Sequence, residues 1–305
     1  MNRGVLNGVR RSGRSLLLAL VLGVTLMVVP DSSVAPTELA MVKVRRAQAV
    51  DLSPDVVWIL ALGSDARDGE PMLNARADAI QLVGLNSRTG AAAAIGLPRD
   101  SWVAIPGHGT GRVNSALTFG GPQLMARTVR GLVGIEPDYV MVTRFPFFED
   151  MVDDIGGIAV QNPRRFWDPN LKKEGFPPGR IRLSGYDAMA FSRIRKSLQD
   201  GDFGRSANQQ RTLRGIQERV AERADQPGFL ERGVMTVLEH THTDASPAEL
   251  YRIAQAVAQV DRRRITTCVL PGRIGTAGSA SVVFPDTARA RRWGDQARRD
   301  ATLRC

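Results

Sequence analysis

The sequence has little of what metal and redox sites are usually built from. Its 305 residues include three histidines and two cysteines. His240 and His242 have no carboxylate or cysteine at ligand spacing, and Cys268 and Cys305 match no metal-binding pattern, which excludes zinc-finger designs. Aromatics make up only 6% of the chain, too few for a carbohydrate surface built mainly from stacked rings. Trp58 and Trp102 read as core or near-core residues. The glycines of 272–278 follow Pro271 with no helix after them, so they are not a nucleotide loop. Internal repeats and low-complexity tails are absent. So are helix-turn-helix and RNA-binding patterns, despite a net charge of +10.

That charge is carried by arginine, since only Lys43, Lys172, Lys173 and Lys196 are lysines. Arginine offers planar, bidentate donors suited to phosphate. A coding bias toward Arg, Ala and Gly explains the bulk excess equally well, so only the positions of particular arginines carry an argument. Apolar content of 43% and charged content of 24% suit a globular fold.

The first 14 residues hold Arg3, Arg10, Arg11 and Arg14 and no acid, and an apolar run follows from Leu16 to Val29. A basic flank before an apolar run is an export signal whose flank stays in the cytoplasm. The run is shorter than the ~20 residues of a usual span, so it reads as an uncleaved anchor or a cleaved signal peptide. The expected organisation is a cytoplasmic tail at 1–14, an anchor at 15–30, a linker at 31–54 and one extracytoplasmic domain at 55–305. Outside the cytoplasm Cys268 and Cys305 form one disulfide; the alternative is two unrelated thiols.

Val56–Leu62, Ala79–Leu85, Ala91–Leu97, Tyr139–Val142 and Ile265–Leu270 read as strands. Helices are predicted over Gly121–Leu132, from Ser184 to Ile194 behind a Ser-x-x-Asp cap, over 206–224 and over 247–260. Strands mixed with helices give an α/β sandwich around a central mixed sheet. Asp150, Asp153 and Asp154 read as an exposed helix face.

Three strand ends carry charge. Asp65 follows the first, Arg76 and Asp78 precede the second, and Pro98-Arg99-Asp100 follows the third. One charged end is an ordinary solvated loop, but three in succession point to a shared site where α/β folds bind ligands. A second cluster runs from Arg193-Ile194-Arg195-Lys196 to Asp200-Gly201-Asp202-Phe203-Gly204-Arg205 and Gln209-Gln210. Arg193 and Arg195 share a face if extended, and Arg205 and Gln209 share a helix face near its N-terminus. Carboxylates that hold a hard divalent cation, facing convergent arginines, are suited to a diphosphate. The alternative is a solvated basic helix end.

Several segments, in order, resemble the LytR-CpsA-Psr family: Gly63-Ser64-Asp65-Ala66-Arg67, Arg76-Ala77-Asp78, Pro98-Arg99-Asp100, Arg112-Val113-Asn114, Phe119-Gly120-Gly121-Pro122 and Gly156-Gly157. Leu183-Ser184-Gly185, the Arg193–Lys196 stretch, Gly201-Asp202-Phe203-Gly204-Arg205 and Gln209-Gln210 continue the match, which covers about 55–225. The resemblance implies a membrane-anchored phosphotransferase that moves a glycopolymer from a polyprenyl diphosphate carrier to a peptidoglycan hydroxyl. It implies Asp65, Asp78, Arg99 and Arg205 as catalytic residues. Asp65 and Asp78 would hold Mg²⁺ or Mn²⁺, and Arg67, Arg76, Arg193, Arg195 and Gln209 would bind the diphosphate. Apolar side chains between sheet and helices would enclose the prenyl tail, and Asp65 or Asp100 would accept the hydroxyl proton. Departures from the family pattern are Ala77 and Ala79, where small hydroxyl residues are common, and Asn208, where a basic residue is common.

The implied partners are a polyprenyl-linked glycan, peptidoglycan and the membrane, with no nucleic acid. The rival readings are a pyrophosphatase using water at the same site, a non-catalytic lipid or wall-polymer binder, and a transcriptional regulator. Export opposes the last.

Overall fold

Seven strands build a mixed sheet around the apolar run that begins at Val56. The computed structural model describes residues 38–44, 55–67 and 69–305. In chain order its strands are β1 (Leu39–Lys43), β2 (Val56–Ser64), β3 (Ala77–Asn86), β4 (Ala92–Gly96), β5 (Trp102–Ala104), β6 (Thr110–Arg112), β7 (Tyr139–Thr143) and β8 (Ile158–Asn162). They continue with β9 (Phe166–Asp168), β10 (Lys172–Phe176), β11 (Gly179–Leu183), β12 (Thr241–Thr243), β13 (Ile265–Val269), β14 (Gly272–Ala277) and β15 (Ala280–Pro285). The helices are α1 (Ser115–Val133), α2 (Phe145–Asp154), α3 (Gly185–Arg193), α4 (Gly201–Arg223), α5 (Phe229–His240), α6 (Pro247–Ala258) and α7 (Thr287–Ala297). The main sheet runs β12-β1-β7-β2-β3-β4-β13. β2 pairs antiparallel with β3 and parallel with β7, and β13 joins β4 in parallel.

The sheet is covered on both faces. Trp58, Leu60, Leu62, Ile80 and Leu82 point to one side, where α1 and α7 pack on them through Leu124, Val129 and Trp293. Ile59 and Leu85 point to the other, against Val234 of α5 and Leu250 of α6. α4 also lies on that second face, and Gly96 lets it come close: a Cβ there would sit 2.4 Å from Ser206 Oγ. Behind α4, α2, α3 and β8 to β11 share a satellite core with Phe166, Phe176 and Phe191 at its centre. Cys268 of β13 forms a disulfide with Cys305, so of the two thiol readings the bridge holds.

Three expectations need correction. Residues 39–43, read as part of a linker, form β1. Their backbone pairs with β7 and β12, and Leu39, Ala40 and Met41 are buried. A five-residue run is too short for its period to stand out from its surroundings. The helix expected from 206 starts at Gly201. Gly-Asp-Phe-Gly has the composition of a turn, but Gly201 enters the helix at φ +53° and Gly204 packs on Leu198. The helix expected over Gly121–Leu132 starts earlier, at Ser115, and is broken at Gly120 and Gly121 before Pro122. Ser184 does cap α3, accepting from the Asp187 N–H at 3.2 Å. The expected tail at 1–14 and anchor at 15–30 lie outside the described residues. Among the described residues no helix is long and apolar enough to cross a membrane.

Candidate active site

Three strand ends, the end of α3 and the start of α4 converge at one edge of the sheet. Asp65 follows β2, and its N–H donates to Arg76 O at 2.9 Å. Asp78 occupies a bulge in β3: Gly63 faces Ala79 and Ser64 faces Ala77, so Asp78 is the extra residue. A bulge re-aims a side chain. Ala77 and Ile80 both stay in the core, while the Asp78 carboxylate turns to the Arg99 guanidinium, with which it forms an ion pair. Ala77 is 0% exposed and lies across the strand pair from Ser64.

Arg99 and Asp100 occupy a turn after β4, closed by Ser101 N–H to Pro98 O at 3.0 Å. The α3 terminus brings Arg193 to within 3.8 Å of Asp65, and its guanidinium lies 4.0 Å from the Phe145 ring centroid. Arg195, in the loop that follows, reaches Asp100 at 3.5 Å. Arg205 sits one turn into α4, paired with Asp202, both side chains almost fully enclosed. Arg67 and Arg76 are exposed at the rim.

These charges act on each other. Burial, and then the Asp78 charge, raises the Asp65 pKa above its ordinary value, against the pull of Arg193, Arg99 and Arg67. Burial works against the Arg99 cation, but Asp78, Asp100 and Asp202 outweigh it and hold the pKa high. For Arg205 burial wins and the pKa falls; Asp202 and Asp78 offset this in part, while Arg99 and Arg195 repel it. Three guanidiniums thus meet at one place, each with a carboxylate beside it: Arg99 with Asp78, Arg195 with Asp100 and Arg205 with Asp202. Arg99 Nε and Asp202 Oδ2 are buried without hydrogen-bond partners among the described residues.

Gln209 stands behind this cluster. Its amide N–H group donates to Asp78 O at 3.4 Å and Ser192 O at 3.3 Å, and its Oε1 accepts from Gln81 Nε2 at 3.0 Å. It joins β3, the end of α3 and α4. Gln81, which also donates to Ser206 Oγ at 3.1 Å, was not singled out from sequence. A lone amide in the apolar run Ala79–Leu85 was the available signal. Arg112 was also passed over as a site residue. Its Nε lies 3.4 Å from Asp100 Oδ1 and its Nη2 donates to Ser281 O at 2.7 Å, which ties the β14–β15 hairpin to the site. Asp153 accepts from the Gly185 N–H at 2.7 Å and helps to hold the start of α3.

A TagU from Bacillus licheniformis, a polyisoprenyl-teichoic acid–peptidoglycan teichoic acid transferase, is 34% identical over 174 residues. The match takes in 56% of this chain and 55% of that protein, so the chain spans about half the length of that relative. A solved structure of TagT bound to LIIa-WTA superposes with a TM-score of 0.67 at 24% identity, covering 83% of this chain and 94% of that one. TagT with bound octaprenyl pyrophosphate lipid superposes at 0.62 with 22% identity, over 83% and 93% of the two chains. Both share the fold. The LytR_cpsA_psr family model matches residues 27–299, and the chain belongs to the LytR-CpsA-Psr family.

Proposed function

We propose that this protein transfers a glycopolymer from a polyprenyl diphosphate carrier to a peptidoglycan hydroxyl, as a phosphotransferase. The observation that carries this reading is the convergence of Arg99, Arg193, Arg195 and the enclosed Arg205 with Asp65, Asp78, Asp100 and Asp202 at the ends of three strands and two helices. Such an arrangement is stabilised by a polyanion, and preorganised guanidiniums are what phosphoryl transfer asks of a protein. The teichoic acid transferase relative supports the choice of substrates.

In the proposed reaction the diphosphate is held by Arg99, Arg195 and Arg205, with Arg193, Arg67 and Arg76 at the rim. The acceptor oxygen bonds to the glycan-side phosphorus, the bond to the bridging oxygen breaks, and polyprenyl phosphate leaves with the electron pair. Asp65 is a better base for the hydroxyl proton than Asp100. It is exposed to solvent, whereas Asp100 is engaged in ion pairs with both Arg112 and Arg195. Gln209 holds Asp78 and α3 in place from behind.

Asp65 and Asp78 are close enough to repel, and among the described residues no group of three His, Cys, Asp or Glu could enclose a metal. That donor set suits Mg²⁺ or Mn²⁺, which keeps waters and shares ligands with substrate phosphates. Bound there by Asp65 and Asp78, the ion would supply neutralising charge to the phosphate oxygens.

Room for the prenyl tail is suggested by the second face of the sheet. There Val57, Val83, Met141, Val237, Leu238 and Val257 remain partly exposed between sheet and helices, whereas among the described residues packed on the first face's core Leu73 alone does so. The proposed location is outside the cytoplasm on a single-pass anchor at 15–30. The Cys268–Cys305 disulfide supports an oxidising compartment.

The test is a purified reaction of polyprenyl-diphosphate-linked glycan with peptidoglycan fragments. Polyprenyl phosphate release together with a phosphodiester-linked product is expected. Release at the same rate without acceptor would identify a pyrophosphatase, and binding without release a scaffold.

A further inference from the structure

Outside the site, two features line the path of α1. The first is a stacked pair: the His108 and Phe119 rings are 5.1 Å apart at 16°, and Phe119 is 51% exposed. The second is an open cleft of about 530 Å³ lined by Pro106, Arg127, Arg130, Gly131, Gly134 and Arg291. Arg130 lies 3.5 Å from Glu136, and Arg291 donates to Gly131 O. Arg127 has no partner among the described residues. Three guanidiniums thus meet one carboxylate. Gly131 leaves the floor open, with nothing within 4 Å of a Cβ placed on it.

The two features are joined to each other and to the site. The β5–β6 hairpin starts beside Asp100, and its tip supplies both Pro106 to the cleft and His108 to the stack. α1 starts at the site, where Asn114 N–H donates to Arg99 O at 3.3 Å. From there Arg127 is about 20 Å along the path of the helix. An exposed ring face suits the C–H face of a sugar, and guanidiniums suit phosphodiesters.

We infer that α1 and the β5–β6 hairpin form a track for a glycan whose sugars alternate with phosphodiesters, a sugar resting on Phe119 and His108 and a phosphate entering the arginine cleft. This rests on the transferase reading and adds to it a second contact surface for the polymer, away from the diphosphate site. The track holds the polymer beyond the unit that reacts, so the diphosphate end is presented while the remainder is anchored.

The test is calorimetric binding of a soluble oligomer of hexose phosphodiesters, with a neutral glucan and polyglutamate as controls. The wild-type protein is expected to bind the phosphodiester at least about tenfold more tightly than either control. Arg127→Glu should weaken it by about tenfold or more, the loss of one charge-assisted contact. Phe119→Ala should weaken it too, with the loss falling on sugar-bearing oligomers and sparing polyphosphate. Unchanged affinity in Arg127→Glu, or polyglutamate binding as tightly, would overturn the track. Transfer by the wild-type protein from a single-sugar donor is measured alongside. Turnover there without oligomer affinity removes the track and leaves the transferase standing; affinity without turnover keeps the track and removes the transferase.

Discussion

Arg205→Met separates what this residue does for the fold from what it does for chemistry. The side chain is 6% exposed and its partner Asp202 9%, so the substitution strands a carboxylate away from water. Breaking a buried ion pair on one side costs about 3–5 kcal/mol, a large share of an ordinary domain's stability. Asp202→Asn in the same chain removes the stranded charge, and most of that loss should return in urea unfolding. Turnover should not return with it. A guanidinium that acts mainly on the developing phosphate charge is worth about 2–4 kcal/mol, or about 30- to 900-fold in rate. The double variant is therefore expected to be folded, near wild type in unfolding midpoint, and slow in polyprenyl phosphate release. A double variant with wild-type turnover would mean that Arg205 matters only to packing. A single variant with undiminished stability would mean that the Asp202 pair is not the buried contact described.

Three further outcomes follow from the geometry. Since the Asp65 pKa is raised above 3.8 in the fold, the folded protein binds that proton more tightly than the unfolded chain, and this group's contribution to stability falls as pH rises through that window. Asp65→Asn should thus raise Tm at neutral pH, by a margin that narrows on acidification, while transfer drops; an unchanged Tm at neutral pH would contradict the assigned shift. Gly96→Ala places a Cβ 2.4 Å from Ser206 Oγ and 2.9 Å from Gln210 Nε2, pushing α4 off the sheet. A loss of about 1–3 kcal/mol with a higher KM for the diphosphate donor is expected, and a wild-type KM would show that α4 absorbs the methyl without moving Arg205. Cys305→Ser removes a cross-link between residues 37 apart and should cost about 2–4 kcal/mol, matching wild-type protein unfolded under reductant.

The sequence made the strands legible where apolar runs were long, as in Val56–Leu62. It failed at β1, whose five residues show no period. The site was legible as a set of charged ends because strand termini and glycines stay near each other in sequence. The partners within the set were not. Asp202 reads as a turn residue until Gly201 is known to open a helix, and Arg112 looks like a surface charge until the β14–β15 hairpin brings Ser281 to it from 169 residues away. α4 was legible over most of its length and only its first turn was missed, although it offers no apolar period. It buries Ser206, Asn208, Gln209, Gln210 and Thr212, so the face it turns inward is polar and carries no hydrophobic stripe.

The inserted residue in β3 bears on how this protein can change. Side chains along a strand alternate, so the count of residues between Ala77 and Ile80 decides which one looks outward. Removing Asp78 would restore plain alternation with Ala79 looking outward and no carboxylate, whereas removing Ala79 would keep Asp78 outward but take away the bulge that aims it at Arg99.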